Sequence, residues 1–208
     1  VLYSPPVEAQ KTTLSAGPKL GFNIATILGP EEQIDAERQA FFGLVTGAHV
    51  VWNPTPILGV QPEILYTVKG DERSVRSDGQ ETLRRVRHNY LEFPLLLRLN
   101  MPLPKIVPLT PKLLVGPAFS FWLDGQREVE APTSEESMVR DLDAADDGIR
   151  PFDFGIVVGV GTDVNLGLFN ITFDVRFLRG LLSIVDNPPD DAPQHSQIAF
   201  HGGLAIGY

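Results

Sequence analysis

The feature that most constrains the fold is the alternation of apolar residues with polar or small ones along much of the chain. It is clearest in segment 90–98, where Leu91, Phe93, Leu95 and Leu97 occupy odd-numbered positions and Glu92 and Arg98 even-numbered ones. The parity of a position, odd or even, therefore separates the apolar residues from the charged ones. Because successive side chains of a strand point to opposite faces, whereas a helix would mix these positions, the pattern predicts a strand with one apolar face. The same reasoning predicts eight strands in all, at 19–25, 42–50, 61–69, 90–98, 112–121, 153–161, 170–177 and 197–208.

The connections between these predicted strands are alternately long and short. The long, polar ones are 28–38, 70–84, 124–150 and 180–196, and the shorter ones are 52–57, 100–110 and 164–168. An up-and-down meander places successive connections at opposite ends of the sheet, so one end would carry long loops and the other tight turns. We therefore predict an all-β fold, an eight-stranded antiparallel up-and-down β-barrel without a domain boundary.

The second face of the strands indicates which side of the barrel meets lipid. A soluble barrel turns its apolar face inward around a ligand, whereas a membrane barrel turns it outward. Glycines recur on the second face and suit the narrow interior of an eight-stranded barrel: Gly21, Gly43, Gly47, Gly116, Gly155, Gly159, Gly161, Gly203 and Gly207. The pattern favours a transmembrane barrel, and the alternative is a soluble, lipocalin-like carrier of small molecules.

Charged residues on the same inward face balance one another. Lys19, Lys69, Arg98, Lys112 and Arg176 give +5, and Glu63, Glu92, Asp153, Asp163 and Asp174 give −5. Since an unpaired buried charge is costly, we expect a hydrogen-bonded polar network that fills the interior. Its predicted members are Glu63, Lys69, Glu92, Arg98, Lys112, Asp153, Asp174, Arg176 and His201.

The same residues allow an enzymatic alternative. Glu63 and Glu92 could act as a carboxylate pair in hydrolysis at the barrel rim, and His201 could form a proton relay with Asp174 or Asp153. However, bases on the same face would pair with the carboxylates, and no positioned nucleophile accompanies the histidine. The pattern therefore favours a structural network, and no catalytic residue, cofactor or metal is predicted.

Composition narrows the range of partners. The chain has 208 residues, 17 Lys and Arg against 26 Asp and Glu, and a formal net charge of −9, which disfavours binding to nucleic acid. It has no cysteine, which excludes disulfides and thiolate chemistry. The acidic segment 126–148 lacks a strand pattern, so we expect a mobile, protease-accessible loop that can be removed.

Residues 1–15 precede the alternating pattern and are interpreted as a leader, either the remnant of a signal peptide or a periplasmic segment. Val7-Glu8-Ala9 fits the small-x-small pattern of a signal peptidase site. Residues 16–208 are assigned to the barrel domain.

Three blocks resemble the PorT-like outer-membrane β-barrel proteins of Bacteroidetes. VQPEILYTVKG at 60–70, NYLEFPLLL at 89–97 and LVGPA at 114–118 are similar to that family's QPELLYSQKG, YLEIPLLLK and GPYLG blocks, in the same order and at similar spacing. The chain also ends on an aromatic, Tyr208, as substrates of the outer-membrane assembly machinery typically do.

The resemblance implies an integral protein of the Gram-negative outer membrane. From the residues themselves, we expect it to have no enzymatic activity. Its expected partners are outer-membrane lipid, the outer-membrane assembly machinery and an extracellular or secretion-system protein, because some members of the family are linked to protein secretion.

Overall fold

The part of the chain that the structure describes contains ten β-strands. The computed structural model describes residues 13–28, 36–39, 41–77, 80–101, 103, 108–130, 138–144, 146–182 and 194–207. The strands are β1 Thr13–Leu28, β2 Ala36–Gln39, β3 Phe41–Asn53, β4 Leu58–Ser77, β5 Gln80–Asn100, β6 Leu109–Glu130, β7 Met138–Leu142, β8 Phe152–Asn165, β9 Phe169–Gly180 and β10 Gln194–Gly207. Within these residues no helix is long and apolar enough to span a bilayer.

Eight of these strands close into an antiparallel barrel. The hydrogen-bonded order is β4-β3-β1-β10-β9-β8-β6-β5, and β5 pairs again with β4. The first and last strands complete the ring, with Lys19 opposite Gly203 and Phe22 opposite Phe200. The predicted eight-stranded, antiparallel, up-and-down barrel is confirmed. The two short strands are additions: β2 pairs with β4, and β7 pairs with β6.

The strands extend well beyond the predicted segments at one end of the barrel. Residues 70–77 and 80–84, predicted as a long loop, continue β4 and β5 in register as far as the pair Ser77 and Gln80. Likewise, 126–130 belong to β6 and 138–142 form β7, so the prediction of an unstructured 126–148 loop is wrong for these residues. The cause of both errors is that strands outside a bilayer have no apolar face to produce an alternating pattern.

The barrel begins earlier than residue 16. β1 starts at Thr13, which lies opposite Asn53, so residues 13–15 of the segment interpreted as a leader are part of a strand. Residues 1–12, which include the signal-peptidase-like pattern, and Tyr208 lie outside the described residues.

The outer surface carries a belt of exposed apolar side chains. On β5, Leu95, Leu97 and Leu99 are 47%, 44% and 38% exposed, whereas Leu96 between them is fully buried. Phe22 on β1 stacks on Phe200 of β10 across the outer face, with ring centroids 5.0 Å apart. A soluble carrier would turn this apolar row inward, and the structure turns it outward.

The interior is more mixed than the predicted polar filling. Five apolar side chains from β5, β6, β8 and β9 form a buried cluster on one wall: Leu96, Leu114, Ala118, Val157 and Leu178. Glycines allow strands to approach where a side chain would not fit. A Cβ at Gly47 would lie 2.0 Å from the Ile64 carbonyl oxygen, and one at Gly116 would lie 2.1 Å from that of Leu95.

Candidate functional site in the barrel interior

All nine side chains of the predicted network lie in the interior, each 8% exposed or less. The connections at the two ends define positions along the barrel. The short-turn end has the β3–β4 and β8–β9 connections, and the long-loop end has the β4–β5 hairpin. The charged groups form three clusters between these ends.

The central cluster joins strands on opposite sides of the lumen. Glu63 on β4 accepts two hydrogen bonds from the Arg176 guanidinium on β9, at 2.6 and 2.8 Å, and one from Lys19 Nζ on β1 at 2.8 Å. Asp174 on β9 accepts from Lys19 Nζ at 3.1 Å and lies 2.6 Å from Arg176 Nε. His201 Nδ1 is 3.1 Å from Asp174 Oδ1. Two acids and two bases therefore neutralise one another.

The second cluster lies toward the short-turn end. Asp163 on β8 pairs with Arg98 on β5 and with Lys112 on β6, the latter at 2.5 Å. Lys112 also donates to the Thr172 hydroxyl. Gln61 connects this cluster to the central one, because its carbonyl oxygen accepts from Arg98 Nη1 at 2.7 Å and its amide donates to Glu63.

The third cluster lies toward the long-loop end. Lys69 Nζ is 2.6 Å from Glu92 Oε1 and 4.8 Å from the centre of the Tyr90 ring. Glu92 also accepts hydrogen bonds from the Thr67 hydroxyl at 3.1 Å and the Ser120 hydroxyl at 3.3 Å. Asp153 is buried at the same end but makes no ion pair with a described residue.

The contacts differ from the single network expected from the sequence. Glu92 and Arg98 share a face of β5, yet Glu92 belongs to the third cluster and Arg98 to the second, and no described contact joins the two clusters. Gln61 connects two clusters and was not singled out by the sequence reasoning. Gln61 lies two residues before Glu63 on the same strand and therefore shares its inward face. This spacing is the sequence signal that places Gln61 inside the barrel.

The geometry bears on the enzymatic alternative. Glu63 and Glu92 lie in different clusters, and each is held by its own cations. The His201–Asp174 contact exists, but Arg176 and Lys19 also hold that aspartate. Among the residues that the structure describes, no group of three or more His, Cys, Asp or Glu side chains could hold a metal ion. These contacts fit a cross-linked interior.

The chain is similar to several solved structures, one of which has a TM-score above 0.5. The outer membrane protein OprG from Pseudomonas aeruginosa superposes with a TM-score of 0.52 at 10% identity, over 96% of each chain. Ail, the attachment invasion locus protein of Yersinia pestis, gives a TM-score of 0.44 at 13% identity over 94% of this chain and 99% of that one. Neisserial surface protein A gives 0.43 at 9% identity over 94% and 96%. At 10% identity, the likeness to OprG concerns the fold alone.

The sequence itself matches a family. No curated protein sequence matches the chain. The profile of the outer membrane protein beta-barrel domain, however, matches residues 8–186, which is most of the chain. The closed antiparallel barrel and its exposed apolar belt are features of a transmembrane β-barrel. The chain therefore belongs to the outer membrane protein beta-barrel domain family and is an eight-stranded β-barrel of the Gram-negative outer membrane.

Proposed function

We propose that this barrel is a non-enzymatic protein of PorT-like type, whose cross-linked interior keeps it closed to diffusion and whose long-loop end engages a protein partner at the cell surface or in secretion. The three sequence blocks at 60–70, 89–97 and 114–118 support the PorT-like assignment. The interior contacts support the closed lumen.

One contact carries the closed-lumen proposal. In the ring of eight strands, β4 and β9 are four positions apart and therefore face each other across the barrel. The bidentate pair of Glu63 and Arg176 thus spans the lumen, and Lys19 braces it from β1. Since an eight-stranded barrel leaves room only for its own side chains, this bridge and its neighbours would block a continuous water path.

The long-loop end supports the surface-partner proposal. β4 and β5 pair as far as Ser77 and Gln80, well past the apolar belt, which presents an extended hairpin at this end. Arg84 and Arg87 are exposed on it, and Arg85 pairs with Glu72 at 3.0 Å. A polar, hydrogen-bonded ribbon of this kind suits a protein contact better than a lipid one.

The assembly machinery of the outer membrane is a further proposed partner. Barrel closure joins β1 to β10, strands from opposite ends of the chain, so their unpaired edges would be exposed to the bilayer until both are in place. A catalyst that shields these edges would remove that barrier to insertion.

The closed lumen is tested by conductance in planar bilayers. The refolded barrel should give no persistent channel, whereas the double variant Glu63→Ala with Arg176→Ala should open one. The matched control is Arg85→Ala, which removes an ion pair at the rim and should stay closed. A steady wild-type conductance, or a closed double variant, would contradict the proposal.

The partner is tested by cross-linking in the native outer membrane. A photoreactive residue at Arg87 should trap one defined protein, and the same residue at Leu95 in the belt should trap lipid. Trapping of lipid alone at both positions would contradict the surface-partner proposal.

A further inference from the structure

A groove of about 760 Å³ lies on the outer face of the barrel and crosses β1, β10, β9 and β8. On β9 the exposed apolar side chains run from Phe169 to Phe177. Phe173, which borders the groove, is midway between these two residues. The groove therefore lies at mid-height of the apolar belt, where the barrel is surrounded by the hydrocarbon core of the bilayer.

The groove exists because the belt lacks a side chain at Gly202. This residue is on β10, directly between Leu20 of β1 and Phe173 of β9 in the sheet. A Cβ at Gly202 would have no atom nearer than 4.0 Å. Asp174 and His201 also border the groove, but their side chains meet in the central cluster inside the barrel. The backbone of the strands therefore forms the floor.

The groove is walled toward one end of the barrel and open toward the other. On the long-loop side it is bordered by the stacked rings of Phe22 and Phe200 and by Val175. On the short-turn side the next outward residues, Leu204 and Ile171, do not border it. Because the short turns of outer-membrane barrels face the periplasm, the open side is directed toward the periplasmic leaflet.

Contact area decides what stays in such a groove. Lipid tails are as apolar as the side chains of the belt, so there is no hydrophobic driving force between them and packing determines which contacts persist. A hydrocarbon chain in a concave site has protein atoms on several sides, whereas a chain on the convex belt has them on one. Since dispersion attraction grows with the number of such atoms, the groove retains a chain longer than the surrounding surface does.

We propose that the groove holds one acyl chain of a phospholipid from the periplasmic leaflet. The chain lies over Gly202, with Leu20 and Phe173 on its two sides, and ends against the stacked rings of Phe22 and Phe200. The groove is continuous with the lipid-facing belt, which is why the occupant is a lipid. This site depends on the outer-membrane location and is independent of the closed lumen and of a surface partner.

The test is native mass spectrometry of the barrel purified in detergent from the outer membrane. The wild-type barrel should retain one lipid with the mass of a phospholipid. Gly202→Leu should retain none, because its side chain fills the groove, and it should fold because the added Cβ meets open space. Ala16→Leu is the matched control. It adds the same side chain at an exposed position of β1 outside the groove and should keep the lipid.

A second measurement locates the chain in a bilayer. The probe is a phospholipid with a photoreactive group at the end of one acyl chain, in phosphatidylethanolamine vesicles. Leu20 should be labelled more strongly than Leu95, an exposed leucine of the belt on β5, and Gly202→Leu should abolish this excess.

Four results would overturn the proposal. They are a wild-type barrel without lipid, a lipopolysaccharide or a second copy of the chain in place of the phospholipid, equal lipid retention by the Gly202→Leu and Ala16→Leu variants, and equal labelling of Leu20 and Leu95 in the wild type.

Discussion

The bridge between Glu63 and Arg176 gives the sharpest prediction about stability. Glu63→Gln leaves Arg176 and Lys19 with only Asp174 as a buried counter-charge, so one positive charge becomes unpaired. Breaking a buried pair from one side typically costs about 3–5 kcal/mol, and we expect Glu63→Gln to lower the free energy of unfolding by that amount. Arg176→Met should have a similar effect, because it leaves Lys19 as the one cation in the cluster for two acids, Glu63 and Asp174.

The double variant Glu63→Gln with Arg176→Met tests whether the two side chains interact or contribute independently to the free energy of unfolding. With both groups gone, Lys19 and Asp174 remain as a neutral pair. The combined loss should therefore be smaller than the sum of the single losses by about 0.5–3 kcal/mol, the range found for residues in contact.

The assay is reversible urea unfolding of the barrel in lipid vesicles, followed by fluorescence of the 2 tryptophans. Glu72→Gln is the matched control, because Glu72 pairs with Arg85 at the rim, where the side chains are 18% and 34% exposed. That change should cost about 1 kcal/mol or less. If the two interior losses simply add, the interior is wet enough to screen its charges, and Glu63 and Arg176 are not energetically coupled.

Two further predictions concern the wall of the barrel and use the same unfolding assay. Leu95→Arg, in the apolar belt, should lower the free energy of unfolding by about 2–4 kcal/mol, and Leu109→Arg, at the start of β6, by about 1 kcal/mol or less. The two differ because the penalty for a charge depends on its depth in the bilayer. Equal costs would count against a bilayer around this row of side chains. Gly47→Ala should lower the free energy of unfolding by about 1–3 kcal/mol, because its Cβ would meet the Ile64 carbonyl oxygen. Gly202→Ala should be close to neutral, because nothing lies nearer than 4.0 Å to the added Cβ. Similar effects of the two changes would show that the strands are not packed as closely as described.

The sequence predicted the membrane-facing part of the barrel because lipid imposes one requirement on every strand. Each outward residue must be apolar at that depth, so Leu95, Leu97 and their counterparts reveal the parity directly. The interior imposes no such uniform rule. Leu96 and Leu114 lie inside beside Arg98 and Lys112, since a small lumen can be filled by apolar packing or by paired charges.

The partners within the interior could not be predicted from parity. Parity places a side chain inside, but the stagger between strands decides which side chains are level with it. Glu92 therefore meets Lys69, on the adjacent strand, rather than Arg98 on its own strand. The strand extensions beyond 70 and beyond 124 were missed for a different reason: polar residues such as Glu72, Arg85 and Glu128 occupy their outward face and pair across the strands.

Two spin labels on β5 determine whether the apolar face of these strands meets lipid. The chain has no cysteine, so Leu95→Cys and Arg87→Cys each give one labelling site. Both side chains are exposed on the outer face, about 26 Å apart by the strand rise. In lipid vesicles, the label at 95 should collide more with dissolved oxygen than with a water-soluble nickel chelate, and the label at 87 should show the reverse. A label at 95 that is as accessible to the nickel chelate as the label at 87 would show that this face meets water and not lipid.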